Sequence, residues 1–231
     1  MNTATDVNIS RLIQYSDSAF PVGAFAFSCG LESAATLSIV HNADTLYEFA
    51  CTAAKQSAFC DGIAAIHALR SVYQNNFDEV LRADHSLILV KLNEESRKML
   101  TKMGLKMAEL GCMLNTDEYS DLFLYHIKKG LTPGTFPVAQ GVCFASSGIN
   151  EKDLFLSHQY GVINMILNAA LRCIKVSHLD TQKILFDIMT NVNSLYEEVK
   201  DYTLEEMHTF CPESDIFMSI HEKGSQRMFM S

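Results

Sequence analysis

Proline and glycine are scarce in this chain, four and eleven in 231 residues, and alternating strand-like runs are missing. With so few breakers, and with Met, Leu, Ala, Glu and Lys recurring at helical spacing, the chain is expected to be all-α. Charge is scarce as well. Charged residues are 19% of the chain, against roughly 25% in an average protein, so much of the surface must be weakly polar or covered by partners. There is no Lys/Arg-rich run, and the net charge is -9 with a pI near 5.3. A phosphate-binding face needs the opposite balance, so nucleic acid is not an expected partner. The seven cysteines never pair as CxxC, are odd in number, and sit mostly in apolar settings. Reduced, buried thiols in a cytoplasmic protein are the expectation. The first six residues lack the basic start and apolar core of a signal peptide. The most apolar segment, 162–174, is interrupted by Asn164, Asn168 and Arg172 and is too short to span a bilayer, so no membrane contact is expected.

Catalytic signatures are missing too. No P-loop, GxGxxG fingerprint, HExxH pair or GxSxG elbow occurs. His208 with Cys211, and Cys173 with His178, each supply two ligand types, whereas a closed metal site needs about four ligands. His178 and Asp180 could be drawn as a catalytic couple, but no nucleophile is near in sequence, and Asp180 reads better as a helix cap. The chain reads as a non-enzyme with no cofactor and no metal site.

What is present is helical and continuous in composition. The spacing predicts helices over 9–15 with Asn8 as cap, 28–37, and a third capped by Asp44. An Ala-rich fourth follows from Asp61-Gly62 to Tyr73, then a short one over 77–82 and a long solvated one over 87–110. Glu94 and Lys98 are four apart in the favourable order, and the surrounding charges read as a wet helix face. Met99, Met103 and Met107 read as core. Further helices are predicted over 117–129, 138–147, 153–174 and 180–202, with a last one opened by Pro212. The two prolines and one glycine at 133–137 are the strongest loop signal, but neither flank looks complete alone. One compact, bundle-like domain of about ten helices over 1–231 is expected, with an N-terminal arm (1–8), a tail (224–231) and the 153–174 helix buried at its centre.

Two features stand out. Within 153–174, Tyr160, Asn164, Asn168 and Arg172 are each four apart and share one stripe. Buried polar groups are costly unless paired, so this stripe is a hydrogen-bonded seam, a wetted interior passage or a polar subunit junction. The other feature is the run Phe20-Pro21-Val22-Gly23-Ala24-Phe25-Ala26-Phe27-Ser28-Cys29-Gly30-Leu31-Glu32. Pro21 bars helix at the residue before it and Gly23 allows a φ that other residues resist, which makes a bend studded with aromatics. Such a bend is either a folded corner or an anchor for another protein. The tail ends in Met228, Phe229 and Met230, although chain ends are normally polar. It either tucks into its own chain or becomes ordered against a partner.

The 20–32 run resembles the N-terminal signature of UreF, the urease accessory protein family. Asn93-Glu94-Glu95-Ser96-Arg97-Lys98-Met99 with Met103-Gly104 is similar to that family's Glu-x-Arg…Met-Gly helix. Pro137-Val138-Ala139-Gln140-Gly141 is similar to its Pro-hydrophobe-Ala…Gly element. Arg172 with Asp180-x-Gln182, and the ending Arg227-Met228-Phe229-Met230-Ser231, are similar to two further family stretches, and all five are collinear. Phe136 stands where His is common, Phe25 where Tyr is common, and Lys175, Ser177, His178 and Thr181 also depart from the family pattern. The resemblance implies an all-α homodimer that binds UreD (also called UreH), recruits the GTPase UreG, and takes part in nickel delivery to apo-urease. It implies partner-binding roles for Phe20, Pro21, Gly23, Phe25, Phe27, Ser28, Gly30, Glu32, Arg227, Met228, Phe229, Met230 and Ser231. Two other roles remain open at this point: activation of UreG through an inserted arginine such as Arg227, and nickel holding by His and Cys.

Overall fold

A computed structural model describes residues 4–224 and 228–230, the first three of these by their backbone only. Arg227 and Ser231 therefore lie outside the described residues. Eleven α-helices follow one another with no strand among the described residues: α1 (Ala4–Ser16), α2 (Leu31–Thr36), α3 (Ala43–Ser57), α4 (Ile63–Tyr73), α5 (Phe77–Val90), α6 (Glu94–Leu114), α7 (Glu118–Lys128), α8 (Phe136–Ser146), α9 (Glu151–Cys173), α10 (His178–Val199) and α11 (Pro212–Lys223). The all-α expectation is met. One apolar cluster runs from Tyr15 to Phe229.

Most helix boundaries follow local chemistry. Asp117 accepts from the amides of Tyr119 and Ser120 and starts α7, Asn150 caps α9, and Ser177 with Asp180 makes a capping box at α10. Several expected boundaries are wrong. Asn8 lies inside α1, where its amide donates to the Gly148 carbonyl at 2.8 Å. Asn42, with Thr45, caps α3 in place of Asp44. The second helix begins at Leu31 rather than 28, because Gly30 at φ 82 precedes it. Asp61-Gly62 opens no helix, because α3 runs into α4 through a π turn, Ala58–Gly62. A Cβ at Gly62 would sit 2.6 Å from the Phe155 ring, so close packing selects glycine there rather than a helix break. The helix expected over 77–82 continues to Val90, and the break falls at 91–93, where Asn93 caps α6.

The most enclosed helix is α8, in which Pro137 through Ala145 are all buried. Its Gly141 lies against α4, where a Cβ would meet the Ala65 carbonyl at 2.6 Å. The central α9 packs on α1, α2, α3, α4, α8 and α10. The 131–135 loop is held by a residue the pattern did not single out. Fully buried Asp84 accepts from the Thr132 and Thr135 hydroxyls, both at 2.5 Å, and from the Gly134 and Thr135 amides at 2.6 and 2.7 Å. Gly104 on α6 lets that loop approach, since a Cβ there would lie 1.9 Å from the Gly134 carbonyl oxygen. Met103 and Met107 are core, with Met99 half-buried beside them.

Candidate functional site: bend and tail in one composite face

The bend is built from local turns. Asp17 accepts from the amides of Ala19 and Phe20, and Val22 donates to the Phe20 carbonyl at 2.8 Å. Gly23, at φ 85, leads into a single 3-10 turn, Ala24–Ala26, after which Phe27 is extended. Both Gly23 and Gly30 occupy the left-handed region, which costs other residues conformational energy. Gly30 is constrained in space as well, because a Cβ there would lie 3.1 Å from the Phe217 Cβ of α11. The first turn of α2, with Glu32 on it, is thereby laid against α11.

The tail returns to this corner. The Met230 amide donates to the Ala26 carbonyl at 2.8 Å. The amides of Met228 and Phe229 donate to the two carboxylate oxygens of Glu32, at 2.8 and 3.2 Å. Phe229 points inward and is 5% exposed, while Met228 and Met230 point out at 59% and 48%. Arg172, near the end of α9, stacks its guanidinium 4.2 Å from the Phe25 ring centre and 3.9 Å from that of Phe229. It also donates to the Phe25 carbonyl at 3.0 Å. Bonds to a charged carboxylate are worth about 1.5–3 kcal/mol each, and ordering a residue costs about 1–2 kcal/mol. The docked tail is therefore held by interactions comparable in size to the entropy they oppose.

Behind Glu32 lies a buried ring between acids. The His221 Nε2 is 2.8 Å from a Glu32 oxygen and its Nδ1 is 2.7 Å from a Glu95 oxygen. The side chains of His221 and Glu95 are each only 2% exposed. The Glu95 amide in turn donates to Glu222 at 2.6 Å, which places a carboxylate at the positive end of α6. The 94–98 charges thus divide. Glu94 and Lys98 pair on the outside at 2.9 Å, whereas Glu95 faces the core, which corrects the expectation of a wet face throughout.

The structure brings together Phe25, Glu32, Arg172, Met228, Phe229 and Met230. Phe25 is 65% exposed, and Pro21 and Gly23 are exposed beside it. Phe20 is half-buried against Tyr15. Phe27, Ser28 and Gly30 are buried within the chain, where they shape the bend. The polar stripe is corrected too. Tyr160, Asn164 and Asn168 are half-buried and Arg172 is exposed, because this side of α9 is left partly uncovered. Asn164 and Asn168 border a cavity of about 540 Å³, while Arg172 reaches the bend and stacks on Phe229 of the tail.

That cavity is walled by an ion pair, Lys91 with Asp61 at 2.8 Å. Burial works against the Lys91 charge, but Asp61 and the Cys60 thiol raise its pKa above the ordinary lysine value. His158 also borders it, bonded at Nδ1 to Gln140 (2.9 Å) and at Nε2 to Ser57 (3.2 Å), and burial pushes its pKa down to about 4. Burial pushes the thiols of Cys29, Cys60 and Cys143 up to about 12, which disfavours the thiolate a soft metal needs. Among the described residues no three His, Cys, Asp or Glu side chains gather in a way that could hold a metal ion. No helix among them is long and apolar enough to cross a membrane.

Sequence reasoning missed His221 and Glu95. The available signal was their helical phase: His221 lies four residues after Phe217 on the buried face of α11, and Glu95 lies on the α6 face that leads to Met99 and Met103.

A UreF family profile matches residues 40–189. The chain is 43% identical over 221 residues to urease accessory protein UreF 2 of Brucella canis, covering 96% of this chain and 91% of that protein. It is 40% identical over 222 residues to urease accessory protein UreF of Yersinia pseudotuberculosis, covering 96% and 97%. With a collinear match over nearly its whole length and the signature residues gathered at one corner of an all-α fold, this chain belongs to the UreF family of urease accessory proteins.

Proposed function

We propose that this chain is a non-catalytic scaffold and regulator in urease maturation. It joins UreD (UreH) and the GTPase UreG in the cytoplasmic complex that inserts nickel into apo-urease. The observation that carries this reading is the composite face. Phe25, Met228 and Met230 stand out from a bend and a tail that Arg172 and Glu32 bind together. Exposed apolar and aromatic side chains on a rigid backbone are the residue types expected at the centre of an interface. Arg227 and Ser231 extend this face in sequence and are assigned to it. Homodimer formation uses a different surface, and the exposed Leu179 and Phe186 of α10 offer an apolar one. The whole of 1–231 acts as one UreF-like domain with the tail 224–231 as its partner-binding element.

The test is co-purification of UreD, UreG and apo-urease with the wild-type chain and with Phe25→Ser/Met228→Ser/Met230→Ser. Loss of UreD from the triple variant, with helical content and dimer size unchanged, supports the scaffold reading. Undiminished assembly and urease activation would sink it.

A further inference from the structure

We propose that Glu32, His221 and Glu95 form a latch that docks the 228–230 segment, which makes His221 and Glu95 positioning residues for a face that neither of them reaches. The proposal rests on the partner-binding reading of that face for its purpose, but the latch itself can be tested with no partner present.

Each nitrogen of the His221 ring meets a carboxylate oxygen, at 2.8 Å for Glu32 and 2.7 Å for Glu95, so the ring is gripped from both sides. A planar ring held at both ends fixes the direction in which Glu32 points. Glu32 then offers its two oxygens to the amides of Met228 and Phe229. With the tail in place that carboxylate is 12% exposed and takes two of its hydrogen bonds from the tail amides. Removal of the ring would free Glu32 to turn away from the tail.

The latch also ties the tail to distant parts of the fold. Glu95 is in the first turn of α6, its amide bonds to Glu222 of α11, and the α6 cap Asn93 donates to Asp215 of α11 at 2.6 Å. Three elements far apart in sequence, α2, α6 and α11, therefore meet the tail through one buried ring. Coupling of this kind is reciprocal. A partner that grips Met228 and Met230 stabilises the α6–α11 junction, and loosening that junction releases the tail.

The test is amide exchange on the full chain alone, comparing wild type with His221→Gln, Glu32→Gln and the apolar pair His221→Phe/Glu95→Leu. The pair is included because replacing buried charged groups by apolar ones of similar size is often tolerated, so a folded variant remains if the single changes unfold. The expected result is a loss of protection of about tenfold or more at Met228, Phe229 and Met230, the factor for one lost charge-assisted bond. Protection in α8, at Val142 and Phe144, stays as in wild type. Unchanged protection at 228–230 in a folded variant overturns the latch. Equal loss through α6, α8 and α11 in the pair also overturns it, since the cluster would then be ordinary core. Released tails with undiminished UreD binding leave the latch standing and refute the partner-binding reading instead.

Discussion

Replacing Arg172 with Met isolates the contact that joins bend to tail. The guanidinium lies 4.2 and 3.9 Å from two ring centres and donates one bond at 3.0 Å to the Phe25 carbonyl. Exposed cation–π contacts are worth about 0.5–1 kcal/mol each, and the residue is exposed, so the hydrogen bond adds about 0.5–1 kcal/mol rather than the value of a buried one. The change should therefore cost about 2 kcal/mol, or roughly 30-fold in the opening equilibrium of the tail. Because the loss is local, the melting temperature should fall by less than about 2 °C. Arg172→Lys should lie between, keeping charge but losing the plane that stacks on both rings. The assay is amide exchange of the C-terminal peptide, read beside calorimetry. If Arg172→Met leaves exchange at Met230 within about twofold of wild type, the sandwich is not holding the tail and the energetic reasoning fails.

Other perturbations probe the rest of the fold. His158 is held neutral with a pKa of about 4 against an ordinary 6.5, so between those values the unfolded chain binds more protons. Stability should fall by about 3 kcal/mol as pH drops from about 6.5 to about 4, and denaturant melts of His158→Gln should show a shallower decline; equal slopes would refute the assignment. Asp84→Ala strands two backbone amides and two hydroxyls. It should cost about 3–5 kcal/mol, lowering the melting temperature by on the order of 10 °C in scanning calorimetry. Gly104→Ala drives a methyl group into the Gly134 carbonyl and should cost at least about 1–3 kcal/mol in urea titrations. Gly23→Ala meets no atom within 4 Å, so its cost should be only the backbone strain of about 1 kcal/mol in the same titrations.

The sequence by itself determined the all-α class, the order of the helices and the family, while the caps it pointed to at Asn8, Asp44 and Asp180 fall one to three residues from the true ones or inside a helix. The bend could be read directly, because Pro21 and Gly23 restrict the backbone locally. Tertiary structure decided what such local chemistry leaves open. Glu32 and Phe229 are 197 positions apart, and Arg172 is 147 from Phe25; no spacing rule links them. A charged residue in a charged run reads as solvated, yet Glu95 is buried because His221 arrives from α11 to accept its company. Likewise Asn164 and Asn168 were expected inside, and whether a helix face is covered depends on what packs against it. The Asp61-Gly62 break dissolved for the same reason, since the ring of Phe155, from another helix, selects the glycine. Short-range sterics and capping are written along the chain, whereas burial and long-range hydrogen bonding arise only when the helices meet.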